Sequence, residues 1–346
     1  MSGIHFNTLV LETIDRCNAR CAMCYQAAGP KGSDVRGDGR LPLEVTKRVI
    51  DEAAGLPELT GNRVHLSGGE SFLNYNEVLA IFRHAKARGF RNIGATTNAF
   101  WALNDTVADR KCAEVADAGA TYFEVSIDFW HLPYVRIERV RCLLRAMRRT
   151  GLRPTLRTLS SRSHHLDEVL ASFEDTDLWQ VVIGNGRVQP VGRGALEVPS
   201  ADIYFGNGVE GNCEAQLNLT VTPNGNVYPC CAGADMTDSL ACGNVHTDTL
   251  ADAVLKMRTD QVIREIIHRG TGELIPIIRE LGFGDRLLPH YSGICHLCWD
   301  VFKDDELADA LRRYFQDKQF GMLVGLLQTA PANAQAETPT RQLVTS

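Results

Sequence analysis

Cys17-Asn-Ala-Arg-Cys21-Ala-Met-Cys24 follows closely on the apolar run Asn7-Thr-Leu-Val-Leu-Glu-Thr-Ile14. Three thiols at intervals of four and three residues can fold round one metal centre, and three is one fewer than a closed tetrahedral site takes. Cysteine thiolates are the usual ligands of iron–sulfur clusters, and a cluster held by three of them leaves one iron open to an exchangeable partner. A zinc knuckle short of a ligand and an oxidised thiol cluster are the other readings of the same spacing. Any fold for this chain has to set a tight cysteine loop at the end of its first strand.

The 346 residues have room for one large α/β domain and a smaller one. A net charge of −6 with no Lys/Arg run argues against nucleic acid or an anionic membrane as partner, and leaves small or peptide substrates. Met1-Ser-Gly-Ile-His5 lacks the basic and long apolar regions of a signal peptide, and no run of about eighteen apolar residues follows. The expected location is therefore the cytoplasm. Its reducing conditions make the eleven cysteines metal-binding or redox groups rather than a disulfide framework.

After the cysteine loop, Gly29-Pro-Lys-Gly-Ser-Asp-Val-Arg-Gly-Asp-Gly39 reads as an exposed, mobile connection. Apolar periodicity predicts helices over Leu43–Ala54, Asn76–Arg88, Asp105–Ala118, Pro133–Arg149 and Leu166–Phe173. Between them lie strands at Asn62–Leu66, Asn92–Thr97, Tyr122–Asp128, Arg153–Ser160 and Trp179–Ile183. With the first strand these make six strand–helix units, which need crossover connections and hence a parallel sheet. The expected fold class is α/β: a partial (β/α)6 TIM-like barrel with its chemistry at the C-terminal strand ends, followed by a small α+β domain. The barrel is assigned to 1–193, a linker to 194–212, the second domain to 213–328 and a disordered, low-complexity tail to 329–346. In the second domain Leu217–Thr222 and Asn226–Tyr228 flank the turn Asn224-Gly225 as a β-hairpin. Helices are predicted at about Thr249–Met257, Gln261–His268 and Asp304–Phe315.

The polar residues at the predicted strand ends are the candidate site. Gly68-Gly69-Glu70 ends the second strand, where backbone near a ligand has to be free of side chains. Thr97-Asn98 ends the third and Ser126-x-Asp128 the fourth, and either pair could instead cap a turn. His131 is a candidate acid or base, or a structural histidine. Arg157 could bind a carboxylate or form an ion pair of the barrel wall. Cys213, eleven residues, Gly225, four residues and Cys230, with the later Cys295-x-x-Cys298, form a second group of cysteines, for which structural zinc is one reading. Cys231 and Cys242 could replace one of the four or act as active-site thiols, while Cys112 and Cys142 fall on helices as small buried hydrophobes.

Together the three-cysteine loop and the Gly-Gly-Glu after the second strand resemble the radical S-adenosylmethionine (radical SAM) superfamily. The Cys213 to Cys298 pattern resembles its C-terminal SPASM and twitch domains, most closely the single-cluster twitch form. The resemblance covers about residues 7–316. It implies a 4Fe-4S cluster on Cys17, Cys21 and Cys24 whose open iron is chelated by SAM, and an auxiliary 4Fe-4S cluster on Cys213, Cys230, Cys295 and Cys298. It implies cofactor contacts from Met23, where the family often has an aromatic residue, and from Gly68, Gly69, Glu70, Asn98, Ser126 and Asp128. Arg193 joins them through Pro190-Val-Gly192-Arg193, which resembles the family's turn after strand six. Asp128, His131, Arg157, Cys231 and Cys242 are the catalytic candidates.

The family's chemistry implies cleavage of SAM to a 5′-deoxyadenosyl radical, which abstracts hydrogen from a C–H bond of a natural-product substrate, as in antibiotic biosynthesis. An external donor such as flavodoxin or ferredoxin starts it. A closed second cluster implies net oxidation, and the few residues before strand one favour a small polar metabolite of the sugar or aminocyclitol type over a peptide. Peptide maturation, redox-neutral epimerisation with a cysteine hydrogen donor, and a non-enzymatic two-site zinc protein are the alternatives. The ending Leu343-Val-Thr-Ser346 differs from the double glycine of the relative that builds molybdopterin.

Overall fold

The structure, a computed structural model, describes residues 3–206, 208–214, 217–231 and 233–329. Its first six long strands are β1 (Thr8–Glu12), β2 (Arg63–Ser67), β3 (Asn92–Thr97), β4 (Tyr122–Ser126), β5 (Arg153–Ser160) and β6 (Val182–Arg187). They lie side by side in chain order and all parallel. The crossovers run through α1 (Leu43–Ala54), α2 (Tyr75–Ala87), α3 (Asp105–Ala118), α4 (Ile137–Arg149) and the short α5 (Leu166–Leu170). Period-two alternation decides what faces what. Leu9, Leu11, Val64, Leu66, Ile93, Ala95, Phe123, Val125 and Leu156 are buried in the apolar core. The alternate positions His65, Thr96, Glu124, Ser126 and Arg157 line the lumen.

Local chemistry explains most boundaries. Asn104 caps α3, its side chain accepting from Val107 N–H at 2.9 Å. In α4 the buried stripe Val140, Leu143, Leu144 and Met147 is backed by Arg141, Arg145 and Arg149, paired to Asp105, Asp109 and Asp177. Three expectations shift. The helix predicted from Pro133 begins at Ile137, because Asp128 O and the His131 carbonyl hold residues 128–135 in turns. The helix predicted over Leu166–Phe173 stops at Leu170, and a separate turn, Asp175–Leu178, is fixed by a Glu174/Asp177 capping box. That turn delays the sixth strand to Val182–Arg187 and leaves Trp179 exposed.

The stretch read as a mobile connection is folded. Ala28–Gly29 and Gly32–Ser33 form a small antiparallel ladder, and Arg36 is buried among carboxylates.

The hairpin expected in the second domain belongs to the barrel sheet. Its strands β7 (Asn218–Val221) and β8 (Val227–Tyr228) extend the edge of β1, β7 parallel with Leu9 opposite Leu219, giving the order β8-β7-β1-β2-β3-β4-β5-β6. An apolar edge strand exposes unpaired backbone groups, and the buried Leu219 and Val221 cover this one. The opposite edge, β6, exposes Val182 and Ile183, so the barrel is partial. Beyond the hairpin lie α6 (Leu250–Thr259), α7 (Gln261–His268), α8 (Leu274–Glu280), α9 (Ile294–Phe302) and α10 (Asp305–Thr329). Sequence periodicity did not reveal α8, with Pro276 in its first turn, or α9, which carries Cys295 and Cys298 one turn apart. Among the described residues no helix is long and apolar enough to cross a membrane. The tail from residue 330, expected to be disordered, lies outside the described residues.

Phe123 sits at the centre of the barrel–helix interface, edge-on to Phe72 at 5.3 Å between centroids. Phe123→Ala is expected to destabilise the protein by about 3–5 kcal/mol, through lost burial and the cavity left behind, seen as a lower urea midpoint.

Candidate active site

The cysteine loop is fastened by backbone. Cys17 N–H donates to Gly29 O at 2.9 Å, Cys24 N–H to Cys21 O at 3.1 Å and Ala27 N–H to Cys24 O at 3.1 Å. All three thiols line one cavity of about 580 Å³. Cys17 Sγ accepts from Ala19 N–H at 3.4 Å and from Asn98 Nδ2 at 3.7 Å. Burial raises the Cys17 thiol far above its usual range, with Glu70, Cys24 and Cys21 adding to it; burial and then Cys21 raise Cys24. Three mutually repelling thiols with N–H donors aimed at sulfur suit a cationic iron cluster, which keeps all three deprotonated.

Gly68-Gly69-Glu70 has a structural task beside its expected one. Gly69 N–H donates to Ile14 O at 2.7 Å and Glu70 N–H to Arg16 O at 2.8 Å. A Cβ on Gly69 would stand 2.0 Å from Arg16 O, and one on Gly68, at φ +107°, 2.7 Å from Ile14 O. The glycines let two backbones touch just before Cys17, which sets the height of the loop. Glu70 is buried, accepting from Thr97 Oγ1 at 3.0 Å, Asn98 N–H at 2.8 Å and Phe72 N–H at 3.1 Å. Burial raises it to about 7 against those hydrogen bonds.

Arg193, expected at the cofactor, lies behind the loop instead. Its guanidinium is 1% exposed, with Nη1 donating to Cys21 O at 3.1 Å, Nη2 to Ala27 O and Nε to Asp34 at 2.9 Å. A Cβ on neighbouring Gly192 would fall 1.8 Å from Tyr25 O. The turn after β6 is a clamp on the loop carbonyls, and its arginine neutralises their partial charge.

The remaining cofactor candidates line the cavity: Met23, Gly68, Gly69, Glu70, Asn98, Ser126 and Asp128. Asp128 is buried, its Oδ1 accepting from His131 Nδ1 at 2.7 Å and from the N–H groups of Trp130 and His131 at 3.1 and 3.3 Å. His131 also reaches the cavity. Among the lining residues that the sequence did not single out are Arg63, His65, Glu124 and Arg187. Strand alternation pointed at two of them, His65 between the buried Val64 and Leu66 and Glu124 between the buried Phe123 and Val125. His65 bonds the hydroxyls of Tyr122 at 2.7 Å and Thr96 at 2.8 Å.

Of the second cysteine set, Cys295 and the neighbouring Cys231 line the same cavity, and Cys231 Sγ accepts from Asn218 Nδ2 at 3.7 Å. Cys298 is raised by burial and then by Cys213 and Cys295, so these three thiols stand within electrostatic reach of one another. Cys230 is half-buried against the core cluster. Cys242 does not reach the cavity: it is 2% exposed in the apolar core, its thiol donating to Leu240 O at 3.4 Å. Cys112 and Cys142 are buried on their helices as expected.

Two measurements check this geometry. Iron should fall from about eight to about four atoms per chain when Cys17, Cys21 and Cys24 are replaced by Ala. Gly69→Ala should also lower cluster content, by displacing the loop. Burial holds His65 down at about 4, so its neutral form stabilises the fold fully above the ordinary histidine pKa of about 6.5, and that contribution is lost as pH falls toward 4. His65→Gln should remove that component of the difference in melting temperature between pH 6.5 and 4.

Residues 11–169 match the radical SAM superfamily and residues 213–274 the SPASM iron–sulfur cluster-binding domain. The S-adenosylmethionine-dependent nucleotide dehydratase of Psychrobacter lutiphocae is 29% identical over 102 residues, 27% of this chain and 33% of the relative. The GTP 3′,8-cyclase of Haemophilus influenzae is 31% identical over 121 residues, 35% and 32% of the two chains. The match thus spans about a third of the length of these curated relatives. Among solved structures, native anSMEcpe with bound AdoMet and Cp18Cys peptide superposes with a TM-score of 0.51 at 14% identity, covering 94% of this chain and 99% of that one, which shows the shared fold. The three-cysteine loop on a partial barrel, followed by the second cysteine set, is thus that of a radical SAM enzyme with a SPASM iron–sulfur domain on its C-terminal side.

Proposed function

We propose that this enzyme carries out the net oxidation of a small polar substrate held in the barrel lumen, taking one hydrogen atom from a C–H bond and then a proton and an electron. The observation that carries the reading is that Cys17, Cys21 and Cys24 share one cavity with Cys295. When loaded, the first cluster with SAM supplies hydrogen-atom abstraction, and the auxiliary cluster, with four thiolates and no open iron, supplies an electron acceptor. An external single-electron donor such as flavodoxin or ferredoxin starts each turnover.

The chain's own residues bind and orient. Glu70, raised by burial to about 7, and Asp128, paired to His131, stand beside the cysteine loop and offer carboxyl oxygens to the ammonium of SAM. Thr96, Ser126, Thr158 and Asn218 offer hydrogen-bonding groups deeper in the cavity. SAM and substrate share about 580 Å³, within the range of small-molecule pockets, which favours a metabolite over a folded partner.

Cys231 favours a second reading, redox-neutral epimerisation. It lines the cavity, and burial, with Asp235 and Glu12 adding to it, raises its thiol to about 12. It therefore keeps the S–H bond that a hydrogen-atom donor needs.

The two readings part on two variants of the reconstituted enzyme. For oxidation, Cys298→Ala is expected to abolish oxidised product while SAM cleavage continues, and full turnover in that variant would sink the electron-accepting role. Cys231→Ser should then leave oxidation in place. Loss of product in Cys231→Ser, together with solvent deuterium entering the product of the parent enzyme, would establish epimerisation instead.

A further inference from the structure

The lumen wall that the proposed oxidation leaves without a task is cationic. Arg63 Nη2 donates to Glu124 Oε1 at 3.2 Å, and Arg157 Nη1 stands 3.4 Å from Glu124 Oε2. One carboxylate is thus divided between two guanidiniums. Arg187, the last residue of β6, forms no ion pair among the described residues; its guanidinium lies over the Tyr204 ring, 5.0 Å from the centroid. All three arginines line the cavity. His65 adds no charge among them, since both ring nitrogens are taken by hydroxyl groups and burial disfavours its protonation. Three arginines against Glu124 leave this wall positive.

Glycines of β6 lie against side chains of β5. Gly184 pairs with Arg157 and Gly186 with Leu159 in the sheet register. A Cβ on Gly184 would stand 3.6 Å from Arg157 Cδ, and one on Gly186 3.0 Å from Leu159 Cδ2. What approaches these glycines is the neighbouring strand, whose Arg157 and Leu159 side chains lie across them. Arg157 itself is 58% exposed, so its guanidinium is already hydrated and free to change partner.

We infer that Arg157 and Arg187 form a subsite for an anionic group of the substrate, a carboxylate or a phosphate. The guanidinium fork matches both groups in two parallel N–H···O bonds. Anchored there, a substrate is held in the cavity that the cysteine loop also lines. This rests on the lumen being the substrate chamber, as proposed above. It narrows the substrate from polar to acidic.

The test is calorimetric titration of the reconstituted, SAM-loaded enzyme with pyrophosphate and, separately, with succinate. At least one of the two is expected to bind, with affinity weakened about tenfold or more in Arg157→Ala and in Arg187→Ala and partly restored by Lys at either position. Arg83→Ala, on the exposed face of α2, should bind as the parent does. Stronger binding of pyrophosphate assigns a phosphorylated substrate, and stronger binding of succinate a carboxylic acid. Absence of binding by both anions, or equal binding by the parent and both Ala variants, overturns the inference. So does an Arg157→Ala enzyme that loses SAM affinity while keeping its anion affinity. Because no turnover is measured, these results stand apart from the Cys298→Ala experiment, and either reading can fail alone.

Discussion

The structure depends on a contact between two stretches of bare backbone. Gly68 and Gly69 lie against Ile14, Asp15 and Arg16 closely enough that one added carbon on either would overlap a carbonyl. Hydrogen bonds continue from the β1–β2 ladder into the first residues of the cysteine loop, so the loop is an extension of the sheet. From below, Arg193 seizes the carbonyls of Cys21 and Ala27. A flexible Cys-x3-Cys-x2-Cys loop would lose conformational entropy each time it closed on a cluster. Here part of that loss is met on folding, because the loop backbone is already hydrogen-bonded in place.

A second constraint joins the barrel to the auxiliary domain. Arg36 reaches Glu12 at 2.8 Å, Asp15 at 2.7 Å and, from the other domain, Asp235 at 3.7 Å. Three buried carboxylates on one guanidinium carry more negative charge than it can neutralise. Burial, against the pull of Arg36 and with the push of Asp235, raises Glu12 to about 8, so the cluster retains a proton at neutral pH. Among the described residues Asp235 Oδ2 has no hydrogen-bond partner. Asp235 lies four residues after Cys231, so this network also holds the segment that brings that thiol to the cavity.

The cavity between these two braces carries arginines on its strands. Arg63, Arg157 and Arg187 stand on β2, β5 and β6, while Glu70 and the Asp128–His131 pair stand by the cysteine loop. Such charge costs little in a hydrated lumen and orients a charged ligand before contact. The open edge at β6 is where the barrel stops, so the cationic wall is also the side nearest solvent. Access and recognition coincide there.

The cofactor class was legible in the sequence because cysteine spacing is local: residues three and four apart meet whatever the rest of the chain does. The parallel α/β sheet was legible for the same reason, since periods of two and 3.6 are properties of single elements. The helix carrying Cys295 and Cys298 was not, because a nine-residue apolar segment among glycines and a proline has no clear period. Tertiary structure alone decided that Cys231 faces the lumen while Cys242 lies in the core, that Arg193 serves the loop instead of a ligand, and that the hairpin completes the barrel edge. Each depends on pairing between strands dozens to hundreds of residues apart, such as β1 with β7. A one-residue change of register would turn every lumen side chain into the core, and no local pattern encodes that register.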